Sequence, residues 1–179
     1  MSRRVVFAIV WWAGSLAFAQ PAELPQAPKG FHWERATEIK GAFLTPDGWF
    51  FRHEKKQKTY AYFVTRENIA QGGEFRVGLT VNVMPRIQDK DAVEYAKQLI
   101  AVYPRGKKLL KSWDASMAPF VGGGCLVEDE TTVTHTLIVG NPKTNTLYLF
   151  IFEAPKAEWS EAWRSGQEIM RLLLIDDEI

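Results

Sequence analysis

The chain is 179 residues long and holds a single cysteine, Cys125, so no internal disulfide can staple it. It has little net charge, with 22 basic side chains against 21 acidic ones and a formal balance of +1. Without a basic excess there is no electrostatic case for nucleic acid as a partner. Three histidines are present, but no HExxH, paired-cysteine or Asp-rich calcium spacing accompanies them. No metal and no cofactor is therefore expected. A GxSxG elbow and a Rossmann glycine set are also missing, which removes the commonest signatures of hydrolases and dinucleotide enzymes. A spanning helix needs about 20 apolar residues. The apolar run from Val5 to Phe18 has 14.

That run has a different meaning. Arg3 and Arg4 stand before it, and Ala17-Phe18-Ala19 supplies the small-x-small pattern after it. Residues 1–19 are read as a secretory signal peptide, cleaved near Ala19. The mature protein is then periplasmic or secreted, with no transmembrane segment. Ser2-Arg3-Arg4 matches a twin-arginine signal only in part, because Val6 and Phe7 depart from it, and the export route stays open. Losing Arg3 and Arg4 takes the net charge from +1 to −1. Residues 20–30, "QPAELPQAPKG", hold three prolines and little that packs, and read as a flexible leader. Residues 31–179 form one domain by length. With 11 Phe, 7 Trp and 5 Tyr in the chain, that domain can be stabilised by packing.

The domain begins with short strands. "FHWERATEIKGAFLTP" holds one or two, Pro46-Asp47-Gly48 makes a turn, and Trp49-Phe50-Phe51 opens the next strand. "KTYAYFVTRE" is aromatic and β-branched. In "EFRVGLTVNVM", Phe75, Val77, Leu79, Val81 and Val83 alternate with Arg76, Gly78, Thr80 and Asn82, the period of a strand with one apolar face. The period then changes. Val93, Ala96, Leu99, Ile100 and Tyr103 share one face of a helix that starts at an Asp91–Glu94 capping box and stops at Pro104. Strands follow near residues 107–115, 120–128, 131–139 and 146–153. The last, "TLYLFIFE", is apolar on both faces, as a central strand covered on both sides would be. Pro155 is expected at the first position of a final helix, whose stripe runs from Trp159 through Ala162, Trp163, Gly166, Ile169 and Met170 to Leu173. Strands, helix, strands, helix, joined by hairpin-length links, predict an α+β fold. Its form is an α/β/α sandwich with a mainly antiparallel sheet flanked by helices.

Three stretches, "TPDGWFF", "DAVEYAKQLI" and "NTLYLFIFEAPKAEW", resemble the PsbP-like superfamily over about residues 42–175. That superfamily is an α/β/α sandwich. It includes the lumenal PsbP subunit of photosystem II, exported bacterial PsbP-like proteins and a Ran-binding nuclear import factor. The resemblance implies an accessory or binding protein, since the superfamily has no shared catalytic site.

Candidate sites follow from residue type and spacing. "PFVGGGCLVEDE" joins three glycines to Cys125, but strand-like acidic sequence follows where a phosphate cradle needs a helix N-terminus. The glycines then read as a bulge or a close pass of another backbone, with Cys125 as a small core hydrophobe. No catalytic residue is assigned. The enzyme alternative rests on Cys125 with His135 as its base across neighbouring strands. Glu128-Asp129-Glu130 reads as a solvated hairpin tip. Arg76, Thr80 and Asn82 share one strand face, and Thr132, Thr134 and Thr136 share another. Were the two faces to adjoin, they would form a groove for a small polar or anionic ligand. Trp33 and Trp49 are candidates for a partner surface. The leading expectation is an exported, non-catalytic accessory protein that binds an envelope or secreted protein. The ligand groove comes second and the Cys-based enzyme third.

Overall fold

The computed structural model describes residues 24–179, and the expected signal segment lies outside the described residues. Eleven elements follow in order. They are β1 (Phe31–Ala36), β2 (Gly41–Pro46), β3 (Phe50–Lys56), β4 (Thr59–Thr65), β5 (Gly78–Met84), α1 (Ala92–Val102), β6 (Lys108–Asp114), β7 (Val121–Glu128), β8 (Thr132–Asn141), β9 (Thr146–Pro155) and α2 (Trp159–Arg171). A short 3₁₀ turn over Thr37–Ile39 joins β1 to β2, and these two strands form a hairpin of their own. The other seven make one antiparallel sheet in the order β3-β4-β5-β9-β8-β7-β6.

The sheet is built from two runs of consecutive hairpins. After β5 the chain crosses through α1 to the far edge at β6, then returns strand by strand until β9 pairs with β5. β9 therefore lies in the middle, as its apolar faces require. Tyr148, Phe150 and Phe152 join the larger core, while Leu147 and Leu149 pack in the smaller one. The alternation in β5 holds too. Leu79, Val81 and Val83 are buried in the larger core, and Thr80 and Asn82 face the other way, half-buried.

Helix α2 and the β1–β2 hairpin cover the face that carries Phe150 and Phe152. Ala162, Ile169, Met170 and Leu173 pack there, and Phe43 of β2 meets Phe51 and Tyr62 at ring distances of 6.3 and 5.3 Å. The chain beyond α2 ties the hairpin down, with Ala42 N donating to Leu174 O at 2.9 Å. Helix α1 covers the opposite face over β7, β8 and part of β9, and among the described residues no helix covers the β3–β4–β5 half of that face. These layers are the α/β/α sandwich.

Local chemistry explains the ends of the helices. Asp91 caps α1, its carboxylate accepting from Glu94 N at 2.8 Å. Gly140 lets the start of α1 lie directly on β8, since a Cβ there would fall 2.4 Å from the Ala92 backbone. Pro155 differs from expectation. It closes β9, and α2 starts at Trp159. The reason is a turn: Glu158 N donates to Pro155 O at 2.9 Å, while Lys156 N is tied to Thr131 O at 2.8 Å, so the chain bends before it coils. In the described part of the leader, the Trp33 indole N–H donates to Pro25 O at 2.6 Å and Ala27 packs against the larger core. No helix among the described residues is long and apolar enough to cross a membrane.

Candidate functional site

The three glycines lie in β7. Successive strand residues face opposite sides, so Gly122 and Gly124 belong to the α2 side and Gly123 and Cys125 to the α1 side. The register agrees, with Gly124 opposite Leu137 and Cys125 opposite Thr136. A Cβ on Gly124 would fall 2.3 Å from the Trp113 indole, so the glycine lets that ring lie flat on the strand. A Cβ on Gly122 would fall 2.1 Å from Ile138 O. The motif serves close packing, not a phosphate.

Cys125 and His135 lie on neighbouring strands but on opposite faces of the sheet. Cys125 is buried on the α1 side among residues that include Ile100, Ala101 and Ser112. Burial pushes its thiol pKa up, away from the thiolate a nucleophile needs, and Lys107 opposes this to a lesser degree. His135 points to the α2 side. Its ring is held between Trp113 at 4.8 Å and Trp163 at 4.5 Å, and Trp163 in turn stacks on Trp159 at 5.2 Å. Burial pushes the imidazole pKa down to about 4, and its Nδ1 has no hydrogen-bond partner. The sheet itself separates thiol from imidazole, and no proton can pass directly between them.

The polar faces do fall on one side of the sheet, with β9 between them. Thr80 is opposite Ile151 on β9, and Ile151 is opposite Thr136 on β8. Thr134 and Thr136 are buried, however, and Thr132 is half-buried at the end of β8. Glu153 shares this face, and burial raises its carboxyl pKa. Arg76 does not join them. It precedes β5, and its guanidinium donates to Glu158 at the start of α2 at 2.7 Å. Glu158 also accepts from Arg66 at 2.5 Å. The row of threonines is thus a packed sheet surface, and the positive charge expected to complete a groove is spent on holding α2.

Trp33 and Trp49 are half-buried and pack against the larger core. Asp129 organises the acidic hairpin tip, accepting from Thr131 N at 3.0 Å and Thr132 N at 2.9 Å, while Glu128 pairs with Lys108 at 2.8 Å. No group of three metal-ligating side chains occurs among the described residues.

Two concave surfaces flank β6 instead. On the α2 side, a cavity of about 360 Å³ opens between the β6–β7 turn and the end of α2. Its floor includes Leu137, Val139 and Phe150, and Met170 and Leu173 stand over it. The turn that borders it is tightly bonded. Met117 and Phe120 exchange backbone bonds of 2.8 and 2.7 Å, and Ser116 N donates to the Asp114 carboxylate at 2.8 Å. On the α1 side, an open groove of about 410 Å³ runs between the end of α1 and β6, lined by Ile100, Ala101, Pro104 and Leu109. Sequence reasoning did not find either one. A signal for the cavity was present in Gly122 and Gly124, which leave one face of β7 without side chains. Its walls come from distant segments.

No family model and no curated protein matches the chain. Solved structures do. Cyanobacterial PsbP from Synechocystis sp. PCC 6803 aligns with a TM-score of 0.50 at 14% identity, over 88% of this chain and 100% of that one. A mutant of the protein Mog1 aligns with a TM-score of 0.50 at 14% identity, over 81% of this chain and 95% of that one. The fold is PsbP/Mog1-like. A Pseudomonas aeruginosa protein of unknown function, PA94, is a more distant neighbour, with a TM-score of 0.48 at 12% identity over 82% of this chain and 97% of that one. At such identities the PsbP/Mog1-like fold carries architecture and no site residues.

Proposed function

We propose that the protein is an exported, non-catalytic accessory protein, and that its partner-binding surface is the outer edge of β6 with the adjoining end of α1. One observation carries this reading. Leu109 and Leu110, consecutive in β6, are large apolar side chains left 49% and 41% exposed, and Leu109 lines the groove beside the end of α1. Among the described residues, β6 hydrogen-bonds to β7 on one side only, which leaves a row of backbone donors and acceptors on the other. Lys107, Lys108 and Lys111 flank the leucines. The partner that fits is an extended segment of another protein that adds a strand to β6, places apolar side chains against Leu109 and the groove, and carries acidic residues between them. The opposed placement of Cys125 and His135 supports a non-catalytic role. So does the PsbP/Mog1-like fold, through the accessory character of the superfamily that the chain resembles.

The test is capture from envelope and secreted extracts by the immobilised protein, with site-specific cross-linking from position 112, where Ser112 lines the groove. The expected result is a partner cross-linked through an acidic, apolar segment, weakened by salt and lost in Leu109→Glu/Leu110→Glu. A partner retained unchanged by that double substitution would overturn the assignment of β6.

A further inference from the structure

The cavity on the α2 side lies across β6 from the groove under α1, and the two share Trp113 and Asp114 but not Leu109. We propose that it is a binding site for a small, largely apolar molecule that carries no negative charge. This goes beyond the partner reading and does not depend on it.

Its volume of about 360 Å³ lies within the range of small-molecule sites. The wall chemistry is carbon and aromatic ring, from Trp113 and Phe120 on one side to Leu137 and Phe150 on the floor. Met117 and Met170 are among the lining residues, and their unbranched, polarizable side chains adapt to ligands of different outline. Among the described residues, no lysine, arginine or histidine lines the cavity. Asp114 borders the cavity, but it stands opposite Gly123 in β6, so its side chain turns to the α1 side and the cavity receives no charged group from it. An anion placed there would be desolvated without a counter-charge.

The cavity exists for a reason written in β7. Gly122 and Gly124 lie beside Val139 and Leu137 and contribute no side chain to this face. Trp113 lies over Gly124 and forms a wall where another residue at 124 would have formed a floor. Leu137 is accordingly only half-buried in the interior of the sheet, while Val139 beside it and Phe150 opposite are buried. An apolar side chain left open at the bottom of a concave surface is the mark of a site that a ligand completes.

The probe is N-phenyl-1-naphthylamine, which is neutral and aromatic, titrated by fluorescence into the full chain. Saturable binding of one probe per chain is expected. Leu137→Trp, which fills the floor, should weaken it by about tenfold or more. Met117→Trp fills the opposite wall on an exposed turn, and decides the matter if the first variant does not fold. Leu109→Glu on the β6 edge should leave the probe's affinity unchanged, so failure of the partner reading and failure of this one are told apart. 1-Anilinonaphthalene-8-sulfonate, similar in shape but anionic, should bind about tenfold more weakly or worse. Absence of saturable probe binding, affinity unchanged in a folded filling variant, affinity lost in Leu109→Glu, or a preference for the anion would each overturn the proposal.

Discussion

His135 joins Trp113 on β6 to Trp163 on α2, and it does so as a neutral ring. Its pKa is lowered from 6.5 to about 4 by burial, with Lys111 adding to the shift. Above pH about 6.5 the imidazole is neutral in the folded and the unfolded chain alike, and it costs nothing. As the pH falls from there towards 4, the unfolded chain takes up a proton that the folded chain refuses, and stability declines by about 3 kcal/mol in all. His135→Phe keeps a ring between the tryptophans and removes the proton. Urea unfolding of both proteins at pH 7 and pH 4.5 checks this. The wild type should lose the more stability on acidification, and equal losses would place the acid sensitivity elsewhere, for example in the Glu158 ion pairs with Arg66 and Arg76. The sequence does place His135 on an apolar strand face with Val133 and Leu137. It does not reveal the tryptophans on either side, because they arrive from residues 22 positions before and 28 after.

Helix α1 is held at its entrance by a single side chain from the β8–β9 turn. Asn145 accepts from Ala92 N at 2.7 Å through Oδ1, and its Nδ2 donates to Lys90 O at 2.9 Å and to Ile87 O at 2.5 Å. Buried Ala92 N, half-buried Ile87 O and the exposed Lys90 O lose their partner if it is cut back. Asn145 also has a φ of 52°, a left-handed conformation that asparagine tolerates well. Asn145→Ala is expected to cost about 2–3 kcal/mol. Asn145→Gly relieves the backbone and still loses the clamp, so it should recover only a part of that. Denaturant unfolding of the two variants measures the difference, and a cost below about 0.5 kcal/mol in both would show that the helix is positioned by packing alone. The helix and the turn were each legible in the sequence, the first by its period and the second by "GNPKTN". Their connection was not, because a side-chain bond across more than 50 residues leaves no local pattern.

For the whole molecule, the arrangement of layers accounts for what the candidate residues do. One sheet with a cover on each face sorts every strand residue by parity. Cys125 and His135 differ in parity, and the sheet parts them. Thr80, Thr134 and Thr136 agree in parity, and they share a face. Helix α1 covers one half of its face, and the cavity and the groove form where the covers end near β6. The proposed export is tested on the N-terminal segment. Fused to a reporter, residues 1–30 should direct it out of the cytoplasm, and N-terminal sequencing of the exported product should begin at Gln20. A product that retains Arg3 and Arg4 would show instead that the apolar run stays attached.

The sequence by itself determined the α+β class, the central place of β9, the alternating face of β5 and the cap of α1. Each is encoded in a period of two, a period of 3.6 or a short side-chain contact, and these survive without knowledge of neighbours. Only the tertiary structure decided that Arg76 is bound to Glu158, that Trp33 and Trp49 rest half-buried against the larger core, and that a cavity lies beside the triple glycine. Charges choose partners by distance in space, and a cavity is bounded by surfaces from separate segments. Neither is present in the chain until the layers have closed on one another.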